Sequence, residues 1–241
     1  MRTKVKICGL TRLPDALAAV EAGADALGFM FFAESKRHIT TTAAAQIIRA
    51  LPPFVAKVGV FVNASAENVR ATAAECGLDT LQFHGDESPE FCRQFAPLKV
   101  IKAFRIQNAK SLQALPDFAT DAWLLDSFVG GQRGGTGASF DWALAADAKD
   151  LGRPVIVAGG LSPANVADAI QQSWPYAVDV SSGVETAPGV KDPDLVRRFI
   201  DIVREMEQEL ADSGFRRSLR RTAANGARAA DSQLQPHAVA L

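Results

Sequence analysis

The fold is decided by a pattern that first occurs in the stretch VKICGLTRLPDALAAVEAG, residues 5–23. A short apolar run, VKIC, ends on Cys8, and a turn containing glycine follows it. From Leu13 onward, apolar residues recur three and four positions apart, as in a helix with one buried face. Pro14 suits the first helical turn, and Gly23 suits a C-terminal cap. The stretch therefore predicts one β-strand followed by one α-helix.

The same unit recurs along the chain. Apolar runs of strand length, rich in Val, Ile, Leu and Phe, alternate with segments of helical periodicity. In the unit that contains SPANVADAI, Ser162 is the expected N-cap and Pro163 lies just inside the helix. The eight predicted strands are residues 5–8, 26–31, 55–62, 80–83, 99–104, 123–126, 154–159 and 177–182.

Strict alternation of strand and helix favours parallel strands joined by right-handed crossovers. Eight such units match a closed barrel better than an open doubly wound sheet, which usually has fewer strands and often a G-x-G-x-x-G turn after the first one. That turn is absent here, because the first strand leads into CGLTRLP. We expect an α/β protein with a single (β/α)8 barrel over residues 1–210.

Composition limits the class of protein. The chain has 241 residues, 48% of them hydrophobic, and a formal net charge of −1. It can bury a large core, and it has no global charge that attracts nucleic acid or an anionic membrane. No apolar run reaches the roughly 18 residues of a membrane span, and the first residues lack the layout of a secretory signal. We expect a cytoplasmic protein.

Two further features complete this picture. Cys8, Cys76 and Cys92 show no C-x-x-C spacing and no companion histidines, so neither a disulfide framework nor a zinc site is expected. Cys76 and Cys92 fall in helical patterns and are interpreted as buried packing residues. Residues 211–241 have clustered arginines and no sustained apolar stripe, which predicts a flexible basic tail.

In a (β/α)8 barrel the chemistry lies at the carboxyl ends of the strands. AGGLSPANV follows the seventh run and DVSSGVE the eighth, and loops at these two positions often bind phosphate through main-chain N–H groups. GGQRGGTGASFDW, residues 130–142, predicts a mobile loop over the mouth. The candidate site residues from this placement are Cys8, Gln82, His84, Arg105, Asp126, Gly135, Gly137, Gly159, Gly160, Ser182 and Gly183.

Each candidate also has an ordinary structural interpretation. Glycines serve tight turns, Asp126 suits a loop cap, and Arg37 suits a solvated surface charge. Cys8 on its own is more typical of a buried packing residue. His84 is equally typical of a structural histidine with satisfied hydrogen bonds, so no proton transfer is assigned to it or to Gln82.

Nine motifs occur in a fixed order between residues 4 and 205: KICGLT, GFMFFAESKRHIT, GVFVN, LQFHGDE, LLDS, GGTG, AGGLSPANV, VDVSSGVE and PGVKD. Together they resemble the phosphoribosylanthranilate isomerase family of tryptophan biosynthesis. The resemblance implies a phosphoribosyl small molecule as substrate, no cofactor, no metal, no nucleic acid and no membrane, in a monomer or a homodimer. Lys36 departs from the family pattern, since many members carry proline there.

The implied reaction is the Amadori rearrangement of N-(5-phosphoribosyl)anthranilate to 1-(2-carboxyphenylamino)-1-deoxyribulose 5-phosphate, the third step from chorismate to tryptophan. Cys8 matches the general base of the family and Asp126 its general acid. Arg37 matches the arginine that contacts the anthranilate carboxylate. The resemblance also makes Gln82 and His84 pocket residues.

These residue types suit the chemistry. Ring opening needs a proton on the ribose ring oxygen, which a carboxylic acid supplies, and a thiolate then removes the proton from C2. A free cysteine is mostly protonated at neutral pH unless cations stabilise the thiolate. The candidates for that cation are Lys6, which points to the same side of the strand as Cys8, and Arg37 in the next loop, with Asp179 on the eighth run as a supporting residue.

Two rival functions stay open at this point. One is the isomerase of the histidine pathway, which performs the same rearrangement with two aspartates, whereas this chain has Cys8 on the first strand. The other is a sugar-phosphate binding protein without catalysis, for which the pairing of Cys8 with Asp126 is not needed.

Overall fold

The structure, a computed structural model, describes residues 2–127 and 142–209. Eight parallel strands pair in chain order and close into a barrel, because the last strand pairs with the first. The predicted (β/α)8 barrel is confirmed. The strands are β1 Lys4–Cys8, β2 Ala26–Met30, β3 Ala56–Phe61, β4 Thr80–Phe83, β5 Lys99–Ile106, β6 Ala122–Ser127, β7 Val155–Val157 and β8 Ala177–Val180.

A helical segment follows every strand. The segment after β5 is a 3-10 helix, Ala109–Asp117; a short 3-10 turn, Ser182–Val184, directly follows β8, and the other segments are α-helices. A two-stranded hairpin, β9 Glu185–Ala187 and β10 Val190–Lys191, lies between β8 and the last helix. The α-helices are α1 Leu13–Glu21, α2 Thr41–Arg49, α3 Ala66–Cys76, α4 Pro89–Arg93, α5 Ala143–Lys149, α6 Val166–Ser173 and α7 over residues 193–209.

The chain divides into two units, Met1–Val203 and Arg204–Leu241. The barrel lies in the first unit, and residues 204–209, the described part of the second, are helical. The predicted tail over 211–241 and most of the predicted loop over 130–142, with Gly135 and Gly137, lie outside the described residues. Within the described ranges, no helix has the length and apolar character needed to cross a bilayer.

Local sequence explains where several helices begin and end. The side chains of Thr40, Ser65 and Ser88 each accept a hydrogen bond from the backbone N–H three residues on, which satisfies one free donor of α2, α3 and α4. Pro14 lies in the first turn of α1, as the sequence predicts, and Gly23 follows the end of that helix with a φ of 98°.

The prediction that Ser162 is an N-cap is wrong. Helix α6 begins at Val166, after Asn165. The Asn165 side chain accepts a hydrogen bond from the Ser162 N–H and donates one to the Gly160 carbonyl. These two bonds stabilise residues 162–165 as part of the loop, so the helix starts one turn later.

The barrel interior is apolar at one level and polar at the next. Alternate strand residues face inward, so a residue two positions beyond a core residue faces inward as well. On β6 the core takes Ala122 and Leu124, and Asp126 is the next inward position. The apolar cluster is Ile101, Ala103, Ala122, Leu124, Ile156, Ala158 and Ala177. The buried polar residues of the interior are Lys6, Gln82, Asp126 and Asp179.

Candidate active site

A pocket of about 910 Å³ opens at the carboxyl ends of the strands, where the sequence places the site. Such a volume suits a phosphorylated small molecule. Gly183 packs behind the pocket wall, against the backbone of Leu161. The predicted residues that line the pocket are Cys8, Arg37, Gln82, His84, Arg105, Asp126, Gly159, Gly160 and Ser182.

Cys8 ends β1 and is buried, with its thiol facing the pocket. It pairs with Gly28 of β2, and a Cβ atom on Gly28 would stand only 2.7 Å from the Cys8 Sγ. Gly28 therefore leaves the space that the thiol occupies. Burial raises the pKa of the Cys8 thiol, and the Lys6 ammonium opposes that rise without cancelling it. The predicted cation is present, but desolvation outweighs it.

A buried ion pair supports this end of β1. Lys6 Nζ donates to Asp179 Oδ2 at 2.7 Å, and both side chains are more than nine-tenths buried. The two residues are register partners between β1 and β8. Burial alone would lower the pKa of Lys6, but Asp179 and, after it, Cys8 more than offset this, so the pKa is raised. Lys6 is therefore an ammonium beneath Cys8.

Asp126 lies near the end of β6, in the pocket, and contacts a histidine from the loop after β4, two strands away. His84 Nε2 lies 3.1 Å from Asp126 Oδ2. The amide nitrogen of Gln82 lies 3.0 Å from the other ring nitrogen of His84, Nδ1. Arg105 of β5 is the register partner of Asp126 and also lines the pocket. The sequence places His84 and Gln82 in the pocket but does not predict their contact with Asp126.

Arg37 lies in the loop after β2 and binds a carboxylate of the hairpin. Its Nε donates to Glu185 Oε1 at 2.8 Å and its Nη2 donates to Oε2 at 2.6 Å. Lys191 Nζ donates to the same carboxylate at 2.7 Å. Burial would raise the pKa of Glu185, but hydrogen bonds from Arg37 and Lys191 reverse the direction and lower it. Two cations against one carboxylate leave one net positive charge here.

Glu185 and Lys191 are site residues that the sequence does not single out. Both lie within the VSSGVE and PGVKD motifs after the eighth strand, so their position on the pocket side is predictable. Their pairing with Arg37 is not, because 148 positions separate Arg37 from Glu185.

The loops after β7 and β8 form one wall of the pocket. Gly159 and Gly160 both have positive φ, 81° and 65°, a conformation that favours glycine. At Gly183, a Cβ atom would stand 1.9 Å from the Leu161 carbonyl oxygen, so only glycine lets the two loops touch. Ser182 begins a short 3-10 turn, Ser182–Val184. The phosphate site in these two loops stays a prediction.

A second buried ion pair holds the loop that carries His84. Glu87 accepts hydrogen bonds from the backbone N–H groups of Asn63 and Gly85 at 2.8 and 2.9 Å, and from Lys102 Nζ at 2.9 Å. These contacts join the loops after β3 and β4 to β5. Among the described residues, no group of three or more His, Cys, Asp or Glu side chains is placed to hold a metal ion.

These features define a class, a (β/α)8-barrel enzyme with a buried thiol, a buried carboxyl group and the glycine-containing loops after β7 and β8 in one pocket. The family model for N-(5'phosphoribosyl)anthranilate (PRA) isomerase matches residues 5–202. The chain belongs to this family.

This chain matches nearly the whole length of relatives that carry that name. The N-(5'-phosphoribosyl)anthranilate isomerase of Citrifermentans bemidjiense is 58% identical over 198 residues, which are 82% of this chain and 95% of the relative. A solved structure of monomers of the dimeric enzyme from Thermotoga maritima has a TM-score of 0.77 and 40% identity, over 84% of this chain and 99% of that one. Another isomerase structure is a complex with reduced 1-(o-carboxyphenylamino)-1-deoxyribulose 5-phosphate. It has a TM-score of 0.77 and 42% identity, over 84% of this chain and 99% of that one.

Proposed function

We propose that this chain converts N-(5-phosphoribosyl)anthranilate to 1-(2-carboxyphenylamino)-1-deoxyribulose 5-phosphate, with Cys8 as the general base and Asp126 as the general acid. The observation that carries the proposal is that a buried thiol on β1 and a buried carboxyl group on β6 line the same pocket. Membership of the isomerase family supports the same reaction.

The reaction begins with a proton transfer from Asp126 to the ribose ring oxygen. The C1–O bond breaks, and the nitrogen lone pair forms a protonated imine. Cys8, as thiolate, then removes the proton from C2, and the C–H electron pair forms the C1–C2 double bond while the nitrogen regains its lone pair. Ketonisation passes the hydroxyl proton of C2 to the Asp126 carboxylate and returns the proton held by Cys8 at C1, which restores both groups. Over the whole reaction no electron is gained or lost, so an acid and a base suffice.

The two ends of the substrate match two charged regions of the pocket. The net positive charge at Arg37 suits the anthranilate carboxylate, and the Arg37 Nη1 group is not among the atoms bonded to Glu185. The loops that hold Gly159, Gly160, Ser182 and Gly183 suit the phosphate, because main-chain N–H groups bind anions well. Gly135 and Gly137 stay predictions, as they lie outside the described residues.

The test measures turnover of purified protein as the loss of fluorescence of the anthranilate adduct, together with rescue of a tryptophan auxotroph lacking this isomerase. Cys8→Ala and Asp126→Asn should each abolish turnover while the fold is retained. Cys92→Ala is the matched control, since Cys92 is a buried thiol in α4, outside the pocket. Near-normal turnover in either folded pocket variant contradicts the assignment.

The same assays separate the rival functions. A sugar-phosphate binding protein fails both the fluorescence assay and the rescue. An isomerase of the histidine pathway turns over its own aminoaldose but leaves the anthranilate adduct unchanged. We expect turnover of the anthranilate adduct.

We favour the homodimer over the monomer. Large apolar side chains are exposed on three loops that lead into strands, at the end of the barrel opposite the pocket, and apolar surface of this kind can form an interface between two copies. The Thermotoga maritima relative is dimeric. Equal sedimentation of the wild type and Phe54→Glu as monomers would reject the homodimer. The exposed residues are Phe54 at 99%, Leu151 at 42%, Trp174 at 53% and Tyr176 at 40%.

The cellular location of the protein stays a prediction. A cytoplasmic location is expected because the reaction belongs to amino-acid biosynthesis. Cell fractionation followed by the fluorescence assay tests it, and activity in a membrane or secreted fraction contradicts it.

A further inference from the structure

A chain of two hydrogen bonds leads from Gln82 through His84 to Asp126. We infer that Gln82 and His84 are positioning residues for the general acid: Gln82 fixes the proton of His84 on Nε2, and that N–H orients the Asp126 carboxyl group. The inference rests on the proposed function, since it takes Asp126 to be the acid. It gives a task to two residues that the sequence places in the pocket without a role.

The direction of the first bond follows from the atom that Gln82 presents. The amide is oriented with its nitrogen, a donor only, 3.0 Å from His84 Nδ1, and in this orientation Nδ1 accepts, while Gln82 Oε1 is buried without a hydrogen-bond partner. Gln82 is 1% exposed, in the middle of β4, which holds this amide in place. A ring nitrogen that accepts carries no proton, so the single proton of the neutral imidazole lies on Nε2.

The second bond then has one direction as well. Nε2–H donates to Asp126 Oδ2, at 3.1 Å. The carbonyl oxygen of a protonated carboxyl group is the better acceptor of such a bond, which favours the acidic proton on the other oxygen, Oδ1. After that proton passes to the ring oxygen of the substrate, the same N–H stabilises the new carboxylate.

The opposite tautomer of His84 would act against the reaction. With the proton on Nδ1, the bare Nε2 would accept a hydrogen bond from the Asp126 carboxyl group. The acidic proton would then point at the histidine instead of at the substrate. With its amide N–H group facing Nδ1, Gln82 disfavours this arrangement, because two N–H groups would then point at each other.

The first experiment reads the tautomer directly. The chain has three histidines, so ¹⁵N spectra of protein labelled at histidine are simple to assign, and His84→Gln identifies the signals of His84. In the wild type at neutral pH, Nδ1 of His84 should show the shift of an unprotonated nitrogen and Nε2 that of a protonated one. Gln82→Leu should convert this into a mixture of tautomers. A protonated Nδ1 in the wild type overturns the inference.

The second experiment measures turnover in variants that keep or lose the donor. A glutamine amide reaches the position of Nε2 and can donate, whereas leucine cannot. His84→Leu should lose about 100-fold in kcat with little change in KM, as for removal of one oriented donor, and His84→Gln should recover most of that loss. Equal losses in the two variants, or a loss confined to KM, overturn the inference.

The two readouts also separate this inference from the proposed function. The ¹⁵N spectrum does not depend on turnover, so it reports the tautomer of His84 whether or not Asp126 is the general acid. If Asp126→Asn keeps normal turnover, the proposed function fails. If Asp126→Asn is inactive while His84→Leu is as active as His84→Gln, only the positioning role fails.

Discussion

Gly28→Ala should displace the thiol of Cys8 while leaving its chemistry intact. The new methyl group would lie 2.7 Å from Cys8 Sγ and 3.1 Å from its Cα. Ordinary contacts lie near 3.5–4.0 Å, so the thiol has to move by roughly 1 Å. Overpacking of this kind costs about 1–3 kcal/mol of unfolding free energy. A displacement of about 1 Å at a reacting group costs on the order of 100-fold in rate.

The assay combines urea unfolding with the steady-state fluorescence assay, and Gly59→Ala is the control. Gly59 also lies inside a strand, and a Cβ atom there would stand 2.4 Å from the Leu78 side chain and 2.9 Å from the ring of Phe61. Gly59→Ala should therefore lose similar stability but keep kcat. In a Cys8→Ala background, Gly28→Ala should lose less unfolding free energy than in the wild type, because the sulfur that it crowds is absent.

Two results would refute this reasoning. One is a Gly28→Ala enzyme with kcat within about threefold of the wild type, against the expected loss. The other is an equal stability cost of Gly28→Ala with and without the Cys8 sulfur, which would show that the two groups do not share the space.

Three further predictions follow from charges and close contacts. Burial raises the pKa of Cys8, so kcat/KM should increase with pH through and beyond the ordinary thiol range. Lys6→Met should move this increase to higher pH, because it removes the cation that stabilises the thiolate. A kcat/KM that does not change with pH contradicts a thiolate base. Gly183→Ala should raise KM more than it lowers kcat, and it should weaken inhibition by phosphate. The new Cβ atom would lie 1.9 Å from the Leu161 carbonyl oxygen, so the two loops proposed to bind phosphate would have to separate. An unchanged KM argues against a phosphate site there. The pKa of Glu185 is lowered in the folded protein, so this carboxylate stabilises the fold above the ordinary glutamate range. The stabilisation of the fold is lost as pH falls through the folded pKa. Glu185→Gln should therefore flatten the acid side of a plot of Tm against pH.

The barrel itself is largely predictable from local pattern. The predicted strand over residues 80–83 coincides with β4, and every other predicted strand overlaps the observed one. Period-two alternation places Lys6 and Cys8 on the same side of β1, and the structure confirms it. The start of α6 is predicted wrongly, because a side chain in the loop, Asn165, binds the Ser162 N–H and shortens the helix.

The pairings inside the site are less predictable, because they join residues far apart in the chain. His84 and Asp126 are 42 positions apart, and Lys6 and Asp179 are 173 apart. Each pair meets only because the strands pair in order and the barrel closes between β8 and β1. The positions of these residues at or near the strand ends are local information, whereas their partners are not.

The sequence by itself determined the number and order of the strands and helices, the pocket side of each strand, and the family. Strand and helix follow from the spacing of apolar residues, which is a property of neighbours in the chain. Tertiary structure alone decided that Arg37 binds Glu185, that His84 lies within hydrogen-bonding distance of Asp126, and that burial outweighs the Lys6 charge at Cys8. The reason is physical: hydrogen bonds act over about 3 Å, and desolvation depends on every group that excludes water, so neither exists until the barrel has closed.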